Sequence, residues 1–325
     1  MIKKIIKILI GIVGVLIFVS VIICVLYLID KNKRLSELES NSQLAETSVG
    51  TIEYKIYGDK GPVILLMHGT PGGYDQGAPI EGYRVLSVSR PGYLRTPLQV
   101  GKTPAEQAQA FSALLEYLNI EKVCVWGASG GGPSAISFAA LFPEKTSALF
   151  LLMAVSQSWE PYEEKPSFMR SDFLAWALGS LMQNDSVLKA ALKVLIPNPN
   201  TRQLILEDHE KIENVKGLLW TTWPPSKRYL GELNDISQFK SLALPASKIK
   251  IPTLIIHGSE DINAPVSQSK KLAEQIPGSK LVILEGVDHI GFFSKIEEIE
   301  KIFTEFLDGV SAKKSNEKTF PPTLL

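Results

Sequence analysis

Short apolar, β-branched runs recur along most of this chain, at 51–57, 63–67, 85–89, 123–126, 148–154, 253–256 and 281–284. Runs this short and this uniformly apolar, bounded by Gly or Pro, fit strands buried on both faces of a mostly parallel sheet. Helical patterns lie between several of them, at 104–118, 133–142, 268–275 and 297–307. Such alternation predicts an α/β fold, a doubly wound sheet that binds ligands at the carboxyl ends of its strands. The rhythm breaks once. Residues 156–248 hold no convincing strand but several amphipathic helical patterns, such as 171–182 and 186–195, which predict an inserted helical subdomain. Trp159, Trp176, Trp220 and Trp223 fall in this insert, either lining a substrate cavity or forming the insert's own core.

The N-terminus obeys a different rule. From residue 8 to residue 29 there are 22 positions without a charge, nearly all Ile, Val, Leu, Phe or Gly. As a helix this run is about 33 Å long, enough for the roughly 30 Å hydrocarbon core of a bilayer. A cleaved signal peptide is the alternative, but the run exceeds the usual apolar region of one and no A-x-A site follows. Bulky Ile23 stands before Cys24, where a lipoprotein site needs a small residue. The sequence therefore predicts a single-pass anchor over 1–30 that contacts the lipid bilayer through residues 8–29. Lys3, Lys4, Lys7 and the terminal amine precede the run, while Lys31, Lys33 and Arg34 follow it, offset by Asp30. The richer N-terminal flank predicts a cytoplasmic N-terminus and an extracytoplasmic catalytic domain. Residues 31–46 are polar and carry no core pattern, so they are expected to form a stalk. Residues 311–325, charged and then Pro-containing, are expected to be a flexible tail.

Composition removes several functions. With 34 basic and 34 acidic residues among 325, no net field favours nucleic acid. Cys24 and Cys124 make no disulfide framework, and neither lies in a Cys/His cluster that could hold zinc.

The residues that carry chemistry sit where the apolar runs end. Gly127-Ala128-Ser129-Gly130-Gly131 follows the run 123–126 directly and precedes a helical pattern, which is G-x-S-x-G in a strand–turn–helix setting. A nucleophilic hydroxyl must protrude from a tight turn. Small residues two positions to either side let the helix cross the strand. Serine needs a base, and in this architecture an acid and then a histidine follow the serine in chain order. Of the four histidines, His289 alone lies in the loop after the last strand, within Gly286-Val287-Asp288-His289. His68 and His257 each precede a glycine at a strand end, where they anchor loops, and His209 lies in the insert. The orienting acid should follow a late strand: Asp261 does, with Glu260 as its rival, whereas Asp288 is too close to His289 in sequence to hold that imidazole. Two N–H groups should bind the oxyanion, those of Gly130 and Thr70, since Pro71 has no N–H to offer.

The set HGTPGG (68–73), SRPGYLRT (89–96), GASGGG (127–132), HGSED (257–261) and GVDH (286–289) resembles the α/β-hydrolase fold family over roughly residues 50–308. The resemblance implies a core of 47–155 and 249–310 with a helical cap at 156–248, and a catalytic Ser129, Asp261 and His289, Asp261 holding the usual acid position in the GSED turn. The stretch RPGY, Arg90 to Tyr93, is read as shaping the active-site loop, with no catalytic role. Serine at 129 departs from the dehalogenase and epoxide-hydrolase branches, which use aspartate. Proline iminopeptidases are similar at HGTPGG, but Ala128 and Gly130 depart from their nucleophile motif. The expected function is a membrane-anchored serine hydrolase that cleaves an ester or related acyl bond, acts on a small molecule with an apolar acyl or alkyl group, and uses no cofactor. An aminopeptidase would need an acidic group in the cap, with Glu163, Glu164, Glu207 and Asp208 available. A non-catalytic membrane-bound sensor or scaffold would have no need of Ser129, Asp261 and His289 together.

Overall fold

The computed structural model describes residues 2–160 and 170–317, with side chains to residue 310. Its centre is an eight-stranded sheet in the order β1-β2-β4-β3-β5-β6-β7-β8. The strands are β1 (Gln43–Thr47), β2 (Gly50–Tyr57), β3 (Val63–Met67), β4 (Arg84–Val88), β5 (Val123–Ala128), β6 (Thr146–Leu152), β7 (Thr253–Gly258) and β8 (Lys280–Leu284). β1 pairs antiparallel with β2 and β2 with β4, while all other neighbours are parallel.

β3 explains why its run is apolar at every position. Val63, Leu65 and Met67 point into one core, shared with helices α2 (Pro104–Tyr117), α3 (Gly132–Leu141) and α9 (Val266–Gln275). Ile64 and Leu66 point into the other, closed by Ile299, Phe303 and Leu307 of α10 (Ile296–Glu317). Each fully buried side chain of this size contributes roughly 1.5–3 kcal/mol, so a strand with helices on both faces gains from apolar residues at even and odd positions alike. α2 starts where the sequence permits it. The Thr103 hydroxyl accepts from Glu106 N–H, the Glu106 carboxylate accepts from Thr103 N–H, and Pro104 holds the first helical position.

Between β6 and β7 lie α4 (Asp172–Met182), α5 (Asp185–Leu195), α6 (Pro199–Leu206), α7 (His209–Trp220) and α8 (Tyr229–Phe239). Ser171, Asn184, Asn198 and Asp208 cap the first four of these by accepting backbone N–H bonds. Leu188, Leu192, Ile205, Ile212 and Val215 form a small core of their own, with Phe293 reaching in from the sheet domain. Trp176 and Trp223 are buried, and the Trp223 indole donates to Asp172 O at 2.9 Å. Trp223 therefore serves the insert's own packing, whereas Trp176 meets the N-terminal helix.

Two expectations require correction. Residues 31–46 are not a stalk: helix α1 (Ile2–Ser40) runs unbroken out of the apolar segment, and β1 follows it into the sheet. Tyr27, Asp30, Lys31, Arg34 and Leu38 recur at helical spacing and form one docking stripe. Tyr27 packs on Phe173 and Trp176, and Asp30 accepts from the Trp176 indole at 2.8 Å. Lys31 pairs with Asp172 at 2.8 Å, Arg34 pairs with Asp75, and buried Leu38 accepts from the Tyr74 hydroxyl at 2.7 Å. At the other end, α10 carries the chain as helix to Glu317, through the start of the expected tail. Residues 318–325 lie outside the described residues.

Candidate active site

β5 delivers Ser129 into a turn in which its φ is 46°, a left-handed conformation that few side chains adopt. α3 then leaves so close to β5 that a Cβ on Gly131 would overlap the Met67 carbonyl, and one on Gly127 would press on Ala135 and Leu151. Bulk is excluded on the opposite side as well, since a Cβ on Gly69 would sit 3.1 Å from Ser129 Cβ. The turn that carries the hydroxyl is thereby confined by β3, β6 and α3.

The imidazole of His289 meets that hydroxyl. Nε2 lies 2.9 Å from Ser129 Oγ, and Nδ1 lies 2.6 Å from Asp261 Oδ2. With Nδ1–H donating to the carboxylate, Nε2 is left as the acceptor that a serine proton requires. Asp261 is itself fixed by its turn, since Asn263 N–H and Ala264 N–H both donate to Oδ1 at 2.9 Å. Burial alone would raise its carboxyl. Hydrogen bonds from His257 and His289, with the charge of His289, outweigh burial and hold it far below the usual carboxylate range.

His257 does more than anchor its loop. Its Nε2 lies 2.6 Å from Ala264 O and 3.2 Å from Asp261 Oδ2, while the Ser269 hydroxyl donates to Nδ1 at 2.7 Å. Nε2 thus faces two acceptors, the turn carbonyl and the Asp261 carboxylate, and its N–H is shared between them. The rival acids lie elsewhere. Glu260 is exposed and held by Asn198 of the cap at 3.1 Å. The Oδ1 of Asp288 accepts from Ile290 and Gly291 N–H, and the imidazole bonds to Asp261 instead.

Thr70 stands over the turn, so close to Gly130 that a Cβ there would overlap its hydroxyl. The side chain of Thr70 therefore lies against the residue that follows Ser129. A buried network behind Thr70 is absent from the sequence reading. Asp235, on α8 of the cap, accepts from Arg90 Nη1 at 2.9 Å and Nη2 at 2.6 Å, from the Tyr93 hydroxyl at 2.5 Å, and from the Thr70 hydroxyl. Arg90 also donates Nε–H to His68 O at 2.9 Å and its backbone N–H to His68 Nε2 at 3.0 Å. Burial, and then the charge of Arg90, push the His68 imidazole well down, so it is neutral and its Nε2 is free to accept. Burial and the Asp235 carboxylate push the Tyr93 phenol up, so it remains a donor. The motif Arg90–Tyr93 thus ties the cap to the loop that carries Thr70. Asp235 has no local signature, because its partners stand over 140 positions away.

Apolar side chains flank the same point. Phe239, at the end of α8, reaches Gly130 and packs with Val155, Ala264 and Leu242. The other acids considered in the cap do not join the site. Glu207 is exposed, Asp208 caps α7, and Glu163 and Glu164 lie outside the described residues.

The family model for the α/β hydrolase fold matches residues 62–296. An uncharacterized hydrolase of Bacillus subtilis (strain 168) is 31% identical over 276 residues, spanning 80% of this chain and 95% of that protein. A proline iminopeptidase of Lactobacillus helveticus is 26% identical over 286 residues, spanning 78% of this chain and 93% of that protein. Among solved structures, an α/β hydrolase fold protein from Nakamurella multipartita superposes with a TM-score of 0.74 at 30% identity, covering 82% of this chain and 98% of that one. A mostly parallel sheet, a serine at the strand–helix turn and a family match over most of the chain together make this protein a member of the α/β-hydrolase fold family.

Proposed function

We propose that the protein is a membrane-anchored serine hydrolase that cleaves an ester or related acyl bond through an acyl-enzyme. The observation that carries this reading is the unbroken chain from Ser129 Oγ through His289 to Asp261, at 2.9 and 2.6 Å. In the proposed cycle His289 Nε2 takes the Ser129 proton as Oγ attacks the substrate carbonyl, while Asp261 stabilises the imidazolium that forms. Gly130 N–H and Thr70 N–H bind the oxyanion, a contribution of about 2.7–4 kcal/mol per donor in related sites. The imidazolium then returns its proton to the leaving alcohol. Water, deprotonated by the same nitrogen, releases the acid and restores Ser129. The Phe239 cluster beside Gly130 favours an apolar acyl or alkyl group there.

The Lactobacillus helveticus relative raises the aminopeptidase reading, which needs a free carboxylate in the cap for a substrate amine. Asp235 is buried beside the site, yet it already accepts four hydrogen bonds, so the ester reading is preferred. α1 supplies the proposed anchor, and the charge bias around it supports an extracytoplasmic catalytic domain. A fluorophosphonate should label the full chain but not Ser129→Ala, and p-nitrophenyl esters should turn over faster than aminoacyl anilides. Labelling that survives Ser129→Ala, or a preference for anilides, would overturn the assignment.

A further inference from the structure

We propose that the outer face of cap helix α4 is a lipid-docking surface that lies against the same bilayer the N-terminal helix crosses. The inference rests on the anchoring proposed above. Every residue from 2 to 26 is exposed, and Tyr27 is the first that the domain shelters. Tyr27 lies in the last turn of the uncharged run 8–29, whose helical length of about 33 Å matches the hydrocarbon core. The side chains that shelter it, Phe173 at 5.3 Å and Trp176 at 5.5 Å between ring centroids, both belong to α4. α4 therefore meets the anchor at the level where the anchor leaves the apolar layer, the depth at which Tyr and Trp concentrate in membrane proteins.

The sequence of α4 fits that position. Asp172 and Trp176 are buried toward the domain, and Asp172 is paired with Lys31. The opposite face carries Leu178 and Leu181, which are 51 and 57% exposed. A helix apolar on nearly all sides is normally buried, and a continuous exposed apolar face marks an interaction surface. The charge of the next helix is complementary to an anionic headgroup layer. On α5, Asp185 is neutralised by Lys216, whereas Lys189 and Lys193 have no ion-pair partner among the described residues.

The test uses the full chain with Cys24→Ala, reconstituted in nanodiscs of phosphatidylcholine and phosphatidylglycerol. A single environment-sensitive fluorophore is placed at Leu181→Cys, at Leu28→Cys within the anchor, or at Leu141→Cys. Leu141 ends α3, which runs away from the Ser129 turn, so it serves as the aqueous reference. Lipids bearing a doxyl quencher near the headgroup are then added. The expected result is a loss of emission at position 181 comparable to that at position 28, with emission at 141 retained. Loss at 28 without loss at 181 overturns the docking surface and leaves the anchor standing. No loss at 28 overturns the anchor and the docking surface with it. Equal loss at 141 also overturns the inference, because no face of the domain would then be singled out.

Discussion

Asp235→Asn is the most informative single change, because it keeps the side chain's shape and removes one charge from a buried network. Arg90 is 1% exposed and Asp235 3%, so neither water nor salt screens their pairing. The carboxylate accepts from Arg90 twice, from Tyr93 and from Thr70. An amide has one oxygen, so its NH2 must face at least one of these donors, and Arg90 is left buried without a counter-charge. Breaking a buried pair in this way costs about 3–5 kcal/mol, a large part of the roughly 5–15 kcal/mol that holds a domain together. The chemical consequence is separate. Thr70 loses the partner that fixes its position over Gly130, and loss of one oxyanion donor lowers kcat by about 10²–10³-fold. Denaturant unfolding gives the first quantity, and steady-state turnover of a p-nitrophenyl ester under folding conditions gives the second. The expected pattern is a lower unfolding midpoint together with a fall in kcat that exceeds any rise in KM. Unchanged kcat and an unchanged midpoint would show that the network neither holds the cap nor positions Thr70.

Asp261→Asn should lower turnover by about 10⁴-fold by stranding His289 in the wrong tautomer, while Glu260→Gln and Asp288→Asn should cost far less; kcat of all three on one ester decides. The same variant should reshape acid stability. The Asp261 carboxyl titrates far below its unfolded value of about 3.9, so its ionisation favours the folded state above that pH. The stability difference between the parent protein and Asp261→Asn, read from denaturant midpoints, should therefore shrink as pH falls from about 4 into strong acid. Gly69→Ala places a methyl 3.1 Å from Ser129 Cβ. It should displace the nucleophile at an overpacking cost of about 1–3 kcal/mol, seen as reduced fluorophosphonate labelling. Deleting residues 1–40 should lower the melting temperature, because it removes buried Leu38, worth about 1.5–3 kcal/mol, and the acceptor of the Tyr74 hydroxyl; deleting 1–25 should not.

What was legible in the sequence followed local rules. β3 and β7 read as strands because burial on both faces demands unbroken apolar runs, and Ser129 read as a nucleophile because the small residues around it answer to one steric problem. His289 and Asp261 were legible by chain order, and the structure sets His289 against Ser129 and Asp261 against His289. What escaped was held by contacts remote in sequence. β1, with only Ala45 buried in full, pairs along a sheet edge and carries too little apolar signal to read as a strand. The helix from Asp30 to Ser40 looks like solvated linker until Asp75, Asp172 and Trp176 are placed against it. Asp235 looks like any acid on a helix face until Arg90 arrives from the far side of the chain. Pattern reading finds groups that bury themselves against neighbours of their own kind, and it misses polar groups that are satisfied by one distant partner.

Because α1 passes from the apolar run into its docking stripe without a break, the protein has no swivel between foot and body. Under the proposed anchoring, any lean of the helix becomes the lean of the whole domain. An apolar rod about 33 Å long matches a hydrocarbon layer of about 30 Å when inclined by roughly 25°, and stands nearly upright in one of about 33 Å. The thickness of the surrounding membrane would then set the angle at which the Ser129 site is held to the lipid surface.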